Sequence, residues 1–203
     1  MDPEKFAKLS FLYSDFERVS LARGKITPFN AAKMLRAFSC PLDFSILNLD
    51  IDSYDLFVLK NLLEEGYKPK VVSMEINEKI PSGLTFSVLY NETHSWKGDH
   101  FFGCSLDAAA SAVKPFGYYL VGLEYNNAFF VDSDIASCVF RDLTAKEAFE
   151  SGYRYREDRE IKFPFNRDVD FWLSLDAQLA MSSIAKHFDE YHGQFSIKIS
   201  DEE

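Results

Sequence analysis

The chain of 203 residues is 47% hydrophobic and 16% aromatic, with twenty Phe and ten Tyr. That composition excludes a disordered chain and suits one domain burying roughly 70% of the surface its unfolded form would expose. Asp and Glu outnumber Lys and Arg by 32 to 22, a net charge of −10, and no dense basic cluster offsets it, which argues against nucleic acid as a partner.

Other bounds point the same way. The most mixed patch, Tyr153 to Lys162, interleaves acids with its bases and reads as a solvated surface. No apolar run approaches the roughly 20 residues of a bilayer span, and the N-terminus has neither a basic nor an apolar leader region. Cys40, Cys104 and Cys138 show no zinc or disulfide-framework spacing. The expectation is a cytoplasmic protein with no membrane partner.

In chain order, residues 5–38 are mostly amphipathic, and "TPFNAAKMLRAF" predicts a helix capped by Thr27 with Pro28 at its first position. "FSILNLDI" predicts a strand, and "SYDLFVLKNLLEEG" a helix with Leu56, Leu59, Leu62 and Leu63 on one face and Gly66 at its end. "PKVVSMEIN" predicts a second strand, closing on Glu75 and Asn77. Residues 78–103 read as a long irregular stretch lying over the strand ends. A helix follows, with Ser105 as N-cap and Gly117 at its end, and then two β runs joined around "YNN". "TAKEAFESG" and "DVDFWLSLDAQLAMSSIAKHFDEY" predict two further helices, and "SDEE" a frayed acidic tail.

This order of elements resembles the second half of a class I S-adenosylmethionine-dependent methyltransferase. More narrowly, "LNLDIDSYDLFVLKNL", "PKVVSMEIN", "HFFGCSLDAAASAVKPFGYYLVGLE" and "NNAFFVDSD" are similar to the uncharacterised branch of FkbM-type methyltransferases. The likeness covers roughly Ile26 to Asp134. It implies an α/β fold with a partial Rossmann-like, mostly parallel sheet, a terminal antiparallel hairpin and flanking helices. The expected layout is a single domain, 1–203: an N-terminal helical segment 1–44, a Rossmann-like second half 45–134, a C-terminal helical extension 141–197 and a frayed tail 198–203.

The resemblance also implies S-adenosylmethionine as methyl donor and a hydroxylated small molecule or sugar as acceptor. In the family, a glycine-rich turn after the first strand receives the donor. The sole glycine before the first predicted strand here is Gly24, in "ARGKITP". Two explanations stand open: the chain is the carboxyl half of a longer protein, or it is a short form that has lost cofactor binding. A half-sheet leaves the strand 45–51 with an open edge, so the N-terminal segment covers it, or two chains or a sheet-completing partner pair through it.

In open α/β sheets ligands bind at the carboxyl ends of strands. There Asp50 and Asp52 from one strand and Glu75 and Asn77 from its neighbour form a hard oxygen set suited to Mg²⁺, Mn²⁺ or Ca²⁺. The competing reading has Asp52 or Ser53 capping the next helix, Asp55 complementing its dipole, and Asp50 accepting backbone hydrogen bonds. His100 is the candidate general base, readable also as a metal ligand or an ordinary loop histidine, and Asp52 is the second candidate catalytic residue. His94, Trp96 and Asn127 are candidate substrate contacts, the last two also readable as loop packing and a hairpin turn. Cys104 follows Gly103 near a helix start, but no Cys-His-acid order recommends it as a nucleophile.

Three functions compete: a methyltransferase-like enzyme, a non-catalytic remnant serving binding or assembly, and a glycosyltransferase reading of "LDID" as an Asp-x-Asp metal motif.

Overall fold

The computed structural model describes residues 2–93 and 95–200. Helices α1 (Pro3–Leu12) and α2 (Ala31–Ala37) precede β1 (Ile46–Leu49), α3 (Asp55–Glu64) and β2 (Val71–Glu75). Then come β3 (Leu84–Val88), α4 (Leu106–Val113), β4 (Tyr118–Glu124) and β5 (Asn127–Asp132). The chain finishes with α5 (Ser133–Ala136), α6 (Ala145–Phe149), α7 (Arg159–Lys162), α8 (Ala177–His187) and β6 (Phe195–Ile199).

The fold is α/β, but its main sheet is mixed rather than mostly parallel. Its order is β1-β2-β5-β4, and only β1 and β2 run parallel. The reason lies in the connections. Only α3 makes a crossover between neighbouring parallel strands, whereas the tight β4–β5 hairpin lays β5 antiparallel against β2. Val72 and Met74 of β2, Phe130 of β5 and Leu120 of β4 are buried in one cluster with Leu56, Leu59, Leu62 and Leu63 of α3 and Leu106, Ala109 and Val113 of α4. The predicted leucine stripe of α3 is therefore its core face.

The second strand pair was not legible as such. Residues 78–103 contain β3, which pairs antiparallel with β6 from Leu84 opposite Ile199 to Val88 opposite Phe195. Leu84, Phe86 and Val88 face inward and Thr85 and Ser87 outward, the two-residue period of a half-buried strand. The expected tail 198–203 is corrected by the same pairing. Lys198 and Ile199 lie in β6, and Ser200 donates its amide to the Gly83 carbonyl at 2.9 Å; residues 201–203 lie outside the described residues.

The C-terminal segment is not an appendage, since it supplies half of a second core: Trp172, Ile184, Phe188 and Tyr191 bury Phe86 and Phe101. The rings of Phe101 and Tyr191 stack with centroids 3.9 Å apart. The long helix expected over 168–191 is broken at Leu175, whose backbone is extended, and Asp176 caps α8 through the Leu179 amide. Nearer the N-terminus, α2 begins later than expected. Asn30, not Thr27, is its N-cap residue, and the Asn30 side-chain oxygen accepts from the Thr27 amide at 2.8 Å.

Gly152 marks the closest backbone approach. It sits in a π-helical turn, Glu150–Arg154, where a Cβ would come within 2.1 Å of the Leu123 carbonyl oxygen. Its own carbonyl accepts from the Tyr125 amide at 3.0 Å.

Among the described residues, two surfaces bear on assembly. β1 is the sheet edge and pairs only with β2, and Ile46 is 65% exposed. α1 buries none of its residues, and Phe11, Leu12 and Phe16 stand exposed on it and just beyond. Among the described residues no helix is long and apolar enough to cross a membrane.

Candidate metal centre at the ends of two parallel strands

Register creates the site. Leu49 pairs with Met74, so the next residues, Asp50 and Glu75, come side by side where the parallel strands end. Asp50, Asp52 and Glu75 each offer one carboxylate oxygen, and these atoms lie within 4.8 Å of one another. Asp50 and Asp52 are exposed and Glu75 is half-buried. Among the described residues none of the three makes an ion pair.

The loop that presents the two aspartates is bent tightly, with Asp52 at φ 55° and Ser53 at φ 146°, both on the positive side that non-glycine residues avoid. Asp55 holds it there. Its carboxylate, in a residue only 2% exposed, accepts the Ile51 amide at 3.0 Å and the Ser53 amide at 3.4 Å. Neither Asp52 nor Ser53 caps α3; Tyr54 is the N-cap residue and makes no side-chain cap. Asp55 thus spends its oxygens on the loop rather than on the dipole alone.

Electrostatics at the site favour a cation. Burial pushes the Glu75 carboxyl up to about 7, and the charges of Asp50, Asp55 and Glu78 push in the same direction. The Asn126 amide, donating to Glu75 Oε1 at 2.8 Å, opposes this only in part. Burial likewise raises Asp55 to about 6, against its backbone hydrogen bonds. A divalent ion offsets the repulsion that raises Glu75, and three oxygen donors with water in the remaining positions suit Mg²⁺ or Mn²⁺.

The other expected residues fall elsewhere. Asn77 is fully buried and its amide nitrogen donates to the carbonyls of His100 and Phe102 at 3.0 and 2.9 Å. It ties the loop 100–102 to the end of β2 instead of joining the carboxylates. His100 is buried, with Nε2 at 3.0 Å from an Asp168 oxygen and its ring 4.4 Å from that of Phe165. Burial lowers its pKa, with Lys79 and His187 adding to the effect and Asp168 opposing it. These contacts face the C-terminal segment and bring it to none of the three carboxylates.

Trp96 packs at 5.6 Å on Phe102 and donates its indole N–H to the Asp99 carbonyl at 2.7 Å, so it closes the loop on itself. Asn127 stands one step behind the site: it donates to Asn126 Oδ1 at 3.1 Å, and Asn126 reaches Glu75. The turn residue with positive φ is Tyr125, not either asparagine. His94 lies outside the described residues. Cys104 is buried, which drives its thiol well above the usual range and leaves it inert.

Sequence reasoning missed two features. Asn126 was hidden because "YNN" reads equally well as turn chemistry. Glu78 and Lys79 form a buried pair at 3.0 Å, with Asn166 donating to the same Glu78 oxygen at 2.6 Å and to Tyr153 at 2.9 Å. Adjacent opposite charges in "INEKIP" were the only local signal. Comparison with protein-family models, curated proteins and solved structures gave no match to the chain.

Proposed function

We propose that this protein is a methyltransferase-like domain that holds a divalent cation, Mg²⁺ or Mn²⁺, through Asp50, Asp52 and Glu75 and uses it to seat a hydroxylated small molecule such as a sugar. One observation carries the reading: three carboxylate oxygens from adjacent strand ends lie within 4.8 Å of one another, two of them on a loop braced by Asp55. When bound, the cation supplies orientation and acidification of the acceptor hydroxyl. Asp55 fixes the loop, and Asn126 orients Glu75, the third carboxylate that would hold the cation.

The Rossmann-like part of the reading rests on the parallel β1–α3–β2 unit and on β5 lying antiparallel beside β2, in keeping with the closing strand that the resemblance implies. S-adenosylmethionine fits less well. No glycine-rich turn precedes β1 in these 203 residues, and β1 forms the outer edge of the sheet where the donor-binding strands would continue. His100 is held by Asp168 and braces the loop to the C-terminal segment.

The test is a calorimetric titration with Mn²⁺ and with S-adenosylhomocysteine, each with and without the other, on the parent and on an Asp50→Asn, Asp52→Asn variant. Cation binding that the variant loses supports the centre, and cation-dependent uptake of S-adenosylhomocysteine supports methyl transfer. Cation binding identical in both proteins, or none, removes the proposal.

A second reading, an assembly module with no catalysis, is favoured by the open β1 edge and the uncovered α1. It requires a homodimer or a sheet-completing partner. A monodisperse monomer with rapid amide exchange along Ile46–Leu49 would exclude it.

A further inference from the structure

At the opposite end of the main sheet lies a groove of about 910 Å³. Its place follows from register. Tyr118 and Leu120, on its wall, stand at the end of β4 that neighbours Val131 and Asp132 of β5, and Val131 pairs with Val71, the first residue of β2. Glu75 is at the other end of β2, about 13 Å away along the strand at 3.3 Å per residue. The groove is therefore separate from the proposed cation centre, and the inference does not rest on that centre.

Its charge runs against the rest of the molecule. The chain carries −10 overall, yet four cationic side chains from four different elements line this groove: Lys114 after α4, Lys146 in α6, Arg154 in the π-helical turn and Lys198 in β6. Only two acids join them, and both are held by the fold. Asp107 accepts from the Gly83 amide at 3.0 Å and from Ser200 Oγ at 2.8 Å. Asp142 accepts from the Leu120 amide at 3.0 Å. Among the described residues, Lys146 and Arg154 make no ion pair.

Between the charges the wall includes the half-buried Ala110, Leu143 and Ala145, and Ser82, Thr85 and Ser111 also line it. Convergent cations on a concave surface with an apolar floor and hydroxyl donors are what a small organic anion requires. Lys and Arg with neighbouring hydroxyl side chains match the oxygens of a tetrahedral dianion, and Leu143 with Ala110 and Ala145 matches a ring or short apolar body. We infer that this groove binds a phosphomonoester of a small, partly apolar molecule, with Lys146 and Arg154 as the principal anion contacts. A sulfate ester shares the tetrahedral shape but carries one negative charge fewer, so it binds more weakly.

The probes are phenyl phosphate, phenyl sulfate, inorganic phosphate and phenol, each titrated into the full isotope-labelled chain and followed through backbone amide shifts. Saturable shifts confined to residues near Ser111, Leu120 and Lys146, strongest for phenyl phosphate, are expected. A Lys146→Ala, Arg154→Ala variant should bind phenyl phosphate at least about tenfold more weakly, as should Lys146→Glu alone, which alters an exposed position and guards against misfolding. Asp50→Asn, Asp52→Asn should leave the affinity unchanged. Absence of saturation up to about 10 mM phenyl phosphate, equal affinity in the Lys146 variants, or shifts centred on Glu75 would overturn the inference; binding of phenol as tight as phenyl phosphate would do so too.

Discussion

Asp55 gives the sharpest quantitative prediction. Its carboxyl sits in a residue 2% exposed and is raised from an ordinary 3.8 to about 6, burial being the main cause. A folded-state value above the unfolded one means that the fold binds this proton more tightly. Its contribution to stability is therefore fully present below the unfolded value and is lost as pH rises through the folded one. The difference amounts to about 3 kcal/mol in full, of which about half falls between about pH 5 and pH 8. Asp55→Asn keeps an acceptor for the Ile51 amide and cannot ionise, so that part of the pH dependence should vanish.

Urea unfolding of both proteins across that range, read by far-ultraviolet circular dichroism, measures it directly. The parent should lose about 1–2 kcal/mol more than the variant between about pH 5 and pH 8. Parallel stability profiles for the two proteins would refute burial as the controlling influence on Asp55.

Two further outcomes follow from packing. Gly152→Ala places a Cβ against the Leu123 carbonyl, so the π-helical turn must shift away from β4; a loss of about 1–3 kcal/mol in urea unfolding is expected. Asn77→Ala leaves the buried carbonyls of His100 and Phe102 without their donor; about 2–3 kcal/mol should be lost, with faster amide exchange over Phe101–Cys104 and cation binding retained.

How much of this was readable in the sequence depended on whether a signal was local. The α3 leucines, Ser105 as the cap of α4, and the two strands ending in acids follow from period and capping alone, and the structure places them as expected. β3 carried one local signal, the alternation of Leu84, Phe86 and Val88 with Thr85 and Ser87, but that period spans just five residues inside an irregular segment. Its partner β6 lies more than a hundred residues away, so nothing nearby in the sequence announced the pairing. The mixed character of the sheet was missed for a related reason: a hairpin is legible from its turn, but which of its strands joins the sheet is decided by long-range packing.

The candidate site divides the same way. Asp50, Asp52 and Glu75 were legible because strand ends concentrate ligands in this class of fold, and register brings them together. Asn77 and His100 had the right chemistry at the right place in the chain, but their side chains turn inward to satisfy buried carbonyls and a carboxylate. Orientation of that kind follows from tertiary hydrogen bonding, which residue type does not encode.

Paramagnetic Mn²⁺ added stoichiometrically to the isotope-labelled protein tests the central claim most directly. The account predicts broadening confined to amides around Asp50–Ser53, Glu75 and Asn126, abolished in the Asp50→Asn, Asp52→Asn variant and reversed by excess Mg²⁺. Broadening spread over the acidic surface, or unchanged in the variant, would contradict it.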